Sequence, residues 1–427
     1  MTQKKQTSCA DAFEADAISV NDAREIITQK ITPITKSEKL DLRSCLGRYL
    51  AEDIHSPIDV PSHTNSAMDG YAISGDDLPT QSSQSYAVCG TAYAGKPSTN
   101  IHKAGHVTRI MTGAVMPKTT DTVIMQEQVE IMGDENVLIK PEHRKGQNVR
   151  QAGEDIAKGC LVLSKGRKIT PADLGILSSL GLGELKVTIR PRIAFFSTGD
   201  ELRSVGETLK EGEIYDSNRY TLFGMLKQLD VDITDMGVIR DTQEAIHEAF
   251  VKASKIADIV ITSGGVSVGD ADYIKPTLKA LGDTHFWKIA MKPGRPLTFG
   301  TLNTSTTAAS HASFFGLPGN PVAVMVTFLQ FLDPAIHYLA SGQTKKPLTL
   351  QAVSADDIPK RAGRTEYQRG IFEQTPDGTI TVRRTGKQGS GILTSMSIAN
   401  CFIVLSTESK DISSGDTVRI QPFIGII

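Results

Sequence analysis

The spacing of apolar residues changes character several times along the chain. In SVNDAREIITQKI, residues Ala23, Ile26, Ile27 and Ile31 recur at helical intervals behind Ser19 or Asn21 as caps, which predicts a first helix. From 57 to 150 short β-rich runs such as SYAVCGTAYAG and DTVIMQEQVEI take over, with MGDEN before VLIKP as a hairpin turn. This stretch predicts a β-rich domain (57–150) inserted between two mixed or helical pieces, 19–56 and 151–185, that pack together. Residues 1–18 are polar and predict a flexible extension.

Between 186 and 340 the runs RIAFFSTG, VDITDMGVI, ADIVITSGG and FWKIAM predict strands, separated by helical patterns at 217–229, 242–255, 273–281 and 321–340. Alternation of this length predicts a parallel sheet covered on both faces. Ligands of such sheets bind beyond the carboxyl ends of the strands, so chemistry is expected in the strand-to-helix loops. After the linker SGQTKKP only strand-like runs remain (LTLQAVSA, YQRGIFEQ, TITVRRTG, CFIVLST and DTVRIQPF), predicting a closed or sandwiched β domain over 347–427. The fold class expected is therefore α/β multidomain.

Composition narrows the function classes. Forty-six basic against forty-eight acidic side chains leave a net charge of −2, which supplies no overall field for nucleic acid or an anionic membrane. Five scattered cysteines without C-x-x-C spacing fit a reducing compartment and argue against structural zinc. The N-terminus is too polar for an export signal, and eighteen apolar residues nowhere run together, so a cytoplasmic protein without a membrane span is expected.

Two strand ends run into carboxylates: RIAFFSTG into Asp200 and Glu201, and ADIVITSGG into VSVGDADY with Asp270 and Asp272. Gly264, Gly265 and Gly269 let backbone amides approach a ligand, and a helix starting near Tyr273 would aim its positive end there, an arrangement suited to a phosphate or oxyanion. A tight turn with Asp272 as helix cap is the plainer alternative. Asp241 in VIRDTQEA reads alone as an N-cap with Glu244 as capping-box partner. Together, Glu201, Asp241 and Asp272 follow strands of one sheet, and carboxylates 4 Å apart repel by about 4 kcal/mol at an effective dielectric near 20. A cation would relieve this, and Mg²⁺ suits carboxylates plus substrate phosphates.

The positive counterpart is FWKIAMKPGRP, with Lys288, Lys292 and Arg295; in a strand, the spacing of four puts both lysines on one face. In GLPGNPV, Pro321 suits a first helical position. Asp69 beside Gly70, Thr112 before Gly113, and Arg369 and Ser390 on neighbouring strands identify no function alone. No Ser-His-Asp or Cys-His arrangement stands out, and none of the nine histidines has ligand spacing.

In order, NSAMDGYA, RIMTGA, STGDEL, TSGGVSVGDADY, FWKIAMKPGRP, GLPGNPV and EYQRG closely resemble the MoeA family of molybdenum cofactor biosynthesis, and also the corresponding domain of gephyrin-type proteins. The likeness covers nearly the whole chain from about residue 20, seven ordered motifs being far more specific than any one of them. It implies an elongated four-domain protomer with an α/β molybdopterin-binding domain, a C-terminal β-barrel, and a homodimer in which one chain's inserted domain completes its partner's cleft. The implied reaction inserts molybdate into adenylyl-molybdopterin and releases AMP. The functional positions implied are Asp69, Thr112, Asp155, Glu201, Asp241 and Asp272, with Glu201, Asp241 and Asp272 as Mg²⁺ ligands. Lys288, Lys292, Arg369 and Ser390 would hold molybdate or phosphate, with Arg295 standing where similar proteins often carry Lys. Gly264, Gly265, Ser267 and Pro318 would line the substrate site. A separate adenylyltransferase and downstream maturation proteins are expected partners. The alternatives are a molybdopterin adenylyltransferase, which is typically the α/β domain alone, and a gephyrin-like scaffold.

Overall fold

The computed structural model describes residues 17–98, 103–264, 273–286, 288–303 and 311–423. Two compact units emerge: one comprises the chain up to Glu38, Gly47–Tyr49 and Val187 onward, the other Lys39–Leu46 and Leu50–Lys186. Helix α1 (Val20–Lys30) opens the first unit. Ser19 caps it, its Oγ accepting from the Asp22 amide at 3.1 Å while Asp22 Oδ2 accepts from the Ser19 amide at 3.3 Å. Its apolar face buries Val20, Ala23 and Ile27 in the largest core.

The second unit is built on a six-stranded sheet. Its strands are β1 (Gly70–Ile73), β2 (Gln84–Ala92), β3 (His106–Ile110), β4 (Thr122–Met125), β5 (Val129–Met132) and β6 (Asn136–Ile139), in the order β4-β1-β3-β2-β6-β5. The expected turn at MGDEN joins the antiparallel pair β5 and β6. Asn65–Ser66 pairs with Val149–Arg150, and Ile54–His55 with Leu161–Leu163, so both chain ends of the sheet are tied antiparallel. Helix α2 (Pro171–Ser179) follows, with Thr170 and Asp173 forming a capping box.

In the first unit, β7 (Arg192–Thr198), α3 (Ser217–Lys227), β8 (Asp232–Ile239), α4 (Gln243–Ile256), β9 (Ile259–Ser263) and α5 (Ile274–Leu281) lead to β10 (Gly282–Phe286). Then come β11 (Met291–Lys292), β12 (Thr298–Leu302), β13 (Ala312–Leu317), α6 (Pro321–Thr327) and α7 (Asp333–Ser341). The sheet order is β8-β7-β9-β13-β12-β10. It is mixed rather than wholly parallel: β8, β7, β9 and β13 run together, while β12 is antiparallel to both β13 and β10. The two faces are covered by separate apolar clusters, one around Phe195, Phe315 and Phe328, the other around Phe196, Phe250 and Phe314.

The helical run Pro321–Ser341, with a π-helical turn at Phe328–Leu332, is long and apolar enough by length and composition to cross a membrane. Of its most apolar window 78% is buried inside the protein, as a core helix requires. FWKIAM is not one strand. Phe286 ends β10, whereas Met291 and Lys292 leave the α/β sheet and pair in parallel with Thr365 and Glu366. Pro293 follows immediately; it has no amide hydrogen to donate, which fits the end of that ladder.

The chain ends in β14 (Leu350–Ser354), β15 (Thr365–Gln374), β16 (Ile380–Arg384), β17 (Cys401–Leu405) and β18 (Thr417–Pro422). Their order, β15-β16-β14-β18-β17, is closed by pairing of β17 with β15, giving a five-stranded barrel with β11 attached to β15. Val382, Cys401, Ile403, Val418 and Ile420 fill its interior. The expected strands of this domain are all present.

Candidate active site

Four parallel strands end at one edge of the α/β sheet, at Thr198, Ile239, Ser263 and Leu317. After β7 the chain turns at Gly199, φ +150°, and the Glu201 carboxylate folds back over it; a Cβ there would lie 2.7 Å from Glu201 Oε2. Beyond β8, Asp241 Oδ1 accepts from Thr198 Oγ1 at 3.2 Å, and the Asp241 amide donates to Asp200 Oδ1 at 3.4 Å. Acidic residues from two adjacent strand ends are thus brought together. The capping alternative for Asp241 is overturned, because Thr242 caps α4 by accepting from the Ala245 amide. The N-cap falls at the residue directly before the helix, which is Thr242, one position past the aspartate.

Gly264 sits at φ +91°, and a Cβ there would meet the Thr198 carbonyl at 2.6 Å, so only glycine lets the ends of β7 and β9 approach. Its amide donates to the Leu317 carbonyl at 3.3 Å. Asn218 in the first turn of α3 was not singled out from the sequence, yet its Nδ2 spans Ser263 Oγ at 2.9 Å and the Gly319 carbonyl at 2.7 Å. Its Oδ1 is buried without a hydrogen-bond partner among the described residues. The available signal was an Asn placed within an α-helix, where it is a poor former unless its amide has other work. Pro318 is buried at the end of β13. Gly265, Ser267 and Asp272 lie outside the described residues.

The basic residues come together on a closed loop. The Lys288 carbonyl accepts from the Ile18 amide, and the Ile289 amide donates to the Arg295 carbonyl at 2.9 Å, so Lys288 and Arg295 flank the neck of the loop. Loop closure brings Lys288 near Arg295, and since only Met291–Lys292 is a strand, no single strand carries Lys288 and Lys292 on one face, which corrects that expectation. Lys292 lies toward the far end, its Nζ 3.5 Å from Glu366 Oε1 on β15; the Glu366 side chain is only 7% exposed. Gly294, φ +100°, lets the loop lie against α6, where a Cβ would come 2.6 Å from Thr327 Cγ2.

Arg369 on β15 is 1% exposed. Its Nε donates to Ser395 Oγ and its Nη2 to the Gly389 carbonyl, each at 3.0 Å, and burial pushes the guanidinium down to about 10. It remains protonated at neutral pH. Ser390 is in the turn after β16 and not on a strand, and its carbonyl accepts from the Val322 amide in the first turn of α6. A run of contacts therefore leads from Asp241 through Thr198, Gly264 and Leu317 to the α6 N-terminus and the Ser390 loop.

In the other unit, Asp69 Oδ1 accepts from both the amide and the hydroxyl of Thr112 at 2.7 Å. Those two bonds, with Arg109 nearby, hold its carboxyl below the usual carboxylate range. Asp155 lies apart on an exposed loop whose amides at 155 and 156 donate to the Val60 carbonyl. A cleft of about 670 Å³ lined by Arg24, Gln330, Phe331, Tyr338, Tyr367 and Gln421 contains none of the residues singled out from the sequence.

Among the described residues, no group of three or more His, Cys, Asp or Glu is placed to hold a metal ion. The strand-end cluster supplies Glu201 and Asp241 carboxylates and the Thr198 hydroxyl. All are hard oxygen donors, the chemical type that Mg²⁺ prefers.

Three family patterns match in succession: the MoeA N-terminal region (domain I and II) at 18–181, a probable molybdopterin binding domain at 194–338, and the MoeA C-terminal region (domain IV) at 351–423. Together with the fold, this succession defines a multidomain protein of molybdenum cofactor biosynthesis. The chain is 42% identical over 407 residues to the molybdopterin molybdenumtransferase of Haemophilus influenzae, spanning 95% of this chain and 98% of that protein. It is 36% identical over 412 residues to that of Nostoc sp., spanning 94% and 93%. The crystal structure of a molybdopterin biosynthesis moeA protein from Pyrococcus horikoshii superposes with a TM-score of 0.82 at 29% identity, covering 96% of this chain and 100% of that one. The chain belongs to the MoeA family.

Proposed function

We propose that the chain is a molybdopterin molybdenumtransferase that inserts molybdate into adenylyl-molybdopterin and releases AMP. The observation that carries this reading is the shared strand-end edge, where Asp241 meets Asp200 and Thr198, Glu201 lies over Gly199, and Thr198 approaches Gly264, whose contact with Leu317 leads through the α6 N-terminus to the Ser390 loop. The relatives named for this activity match along nearly their whole length.

In this reading Lys288, Lys292, Arg295, Arg369 and Ser390 hold the oxyanion, whether molybdate or the terminal phosphate. Fixed cations and a hydroxyl aimed at a tetrahedral dianion need no reorganisation as charge shifts. Gly264, Gly265, Ser267 and Pro318 line the pterin end, where close backbone approach matters more than side-chain bulk. Glu201, Asp241 and Asp272 hold Mg²⁺, Thr198 fixing the Asp241 carboxylate in place. When bound, that ion withdraws charge from the anhydride oxygens.

Asp69, Thr112 and Asp155 belong to the other unit, and we assign them to what one copy contributes to the site of its partner. The β-rich stretch 57–150 is then an inserted domain that completes the site of a partner copy in a homodimer. The protein acts in the cytoplasm, a separate adenylyltransferase supplies its substrate, and maturation proteins take up the product. The test is incubation of purified protein with adenylyl-molybdopterin, Mg²⁺ and molybdate, measuring AMP and the molybdenum retained on the pterin. Stoichiometric AMP with retained molybdenum supports the reading; absence of AMP there, with ATP consumed when the protein is given ATP and non-adenylylated molybdopterin instead, points to the adenylyltransferase and overturns it.

A further inference from the structure

The barrel reaches the α/β domain through the turn that follows β16. Regular pairing between β15 and β16 stops at Gly370 and Arg384, and one residue further along β15 the backbone of Arg369 needs new partners. The side-chain amide of Gln388 supplies them. The Arg369 amide donates to Gln388 Oε1 at 2.8 Å, and Gln388 Nε2 donates to the Arg369 carbonyl at 3.0 Å, beside the Thr385 amide. One side chain thus imitates the donor and acceptor of a strand residue after the strand itself has turned away.

The same turn is held a second time, because the Arg369 guanidinium donates to the Gly389 carbonyl. One residue on, the Ser390 carbonyl accepts from the Val322 amide at 3.1 Å. That amide is among the orphan donors of the α6 N-terminus, where Asn320 provides no side-chain cap. The barrel turn therefore caps the helix that follows the GLPGNP loop, and the cap stands only if residues 388–390 are held to β15.

We propose that Gln388 is a positioning residue for oxyanion binding: its paired hydrogen bonds to the Arg369 backbone set Ser390 against the α6 N-terminus. Gln388 itself does not touch the substrate. The inference rests on the proposed function only for what Ser390 binds; the clamp stands on its own geometry.

Gln388→Met keeps length and bulk but removes both bonds. In the full-length protein, amide exchange at Val322 should accelerate, and the molybdate concentration for half-saturation should rise about tenfold for two lost backbone bonds, with turnover at saturating molybdate within about twofold. In a Ser390→Ala background the same change should add little to the half-saturation value. Unchanged Val322 exchange overturns the clamp. So does a variant with normal half-saturation and uniformly reduced turnover, which makes Gln388 merely stabilising. If Ser390→Ala alone leaves molybdate half-saturation unaltered, the oxyanion assignment of Ser390 fails and the proposed binding role falls with it, while Val322 exchange still reads the clamp.

Discussion

Two aspartates in this chain meet a threonine in opposite ways. Asp69 receives both the amide and the hydroxyl of Thr112 on one oxygen, and those bonds hold its carboxyl below the usual range. Asp241 accepts from the Thr198 hydroxyl at a longer 3.2 Å, and its amide donates to Asp200 Oδ1, so two acidic residues share that strand-end edge. The first is complete as it stands. The second lies where acidic side chains from two strand ends gather, and like charges brought together repel unless opposite charge offsets them. The same residue pair thus stands in two different electrostatic settings, and under the proposed function only the second lies at the metal.

The sharpest way to break this contrast is Asp241→Asn. It should leave folding intact and reduce Mg²⁺-dependent AMP release by roughly a hundredfold or more, since a metal at a developing charge contributes several kcal/mol. A rate near that of the unaltered protein would remove Asp241 from the metal. Next in size is Gly199→Ala, where the added Cβ crowds Glu201 at a φ that L-residues avoid; AMP release should fall about tenfold, with the Mg²⁺ requirement shifted upward. An unshifted Mg²⁺ requirement would detach Glu201 from the ion.

Asp69→Asn should have a smaller effect, roughly three- to tenfold, and no change in the Mg²⁺ requirement, because the amide still accepts from Thr112. Metal titration of the variant checks this. The smallest effect belongs to Thr112→Val, which removes the hydroxyl but keeps the amide donor. The depressed folded pKa of Asp69 means that the bonded pair contributes fully above the ordinary carboxylate range and loses its contribution as pH falls through the lower folded value. In the valine variant that loss should begin at higher pH, read by carbon NMR of the Asp69 carboxyl; an unmoved titration would show that the amide alone sets it.

Elements governed by local chemistry were legible in the sequence. Ser19 with Asp22 announces the start of α1, MGDEN announces a hairpin, and the barrel strands stand out as separate apolar runs. Features that depend on distant chain were not. Met291 and Lys292 continue an apolar run, yet join the barrel because β15 offers them an edge. Gly282–Phe286 has too little apolar content to announce an edge strand, so the sheet read as parallel throughout. Ser390 sits in a turn because β16 ends at Arg384, where its pairing with β15 stops, something no residue in GKQGSG signals. Of the site, the acidic and basic groups were visible as types at strand ends, whereas Asn218, Gln388 and the pairing of Asp69 with Thr112 across 43 positions emerge only from tertiary contacts.

The short β11 strand has a bearing on how such chains are cut and recombined. Its rung on β15 is drawn from residues more than fifty positions before the barrel begins, so the polar linker at 341–347 marks a covalent joint and not a true seam. A barrel grafted from that joint onward would arrive with part of its β15 edge bare, exposing main-chain donors and acceptors to neighbouring molecules. Chimeras that carry the segment around Ala290–Lys292 along with the barrel should stay monodisperse where simpler exchanges clump.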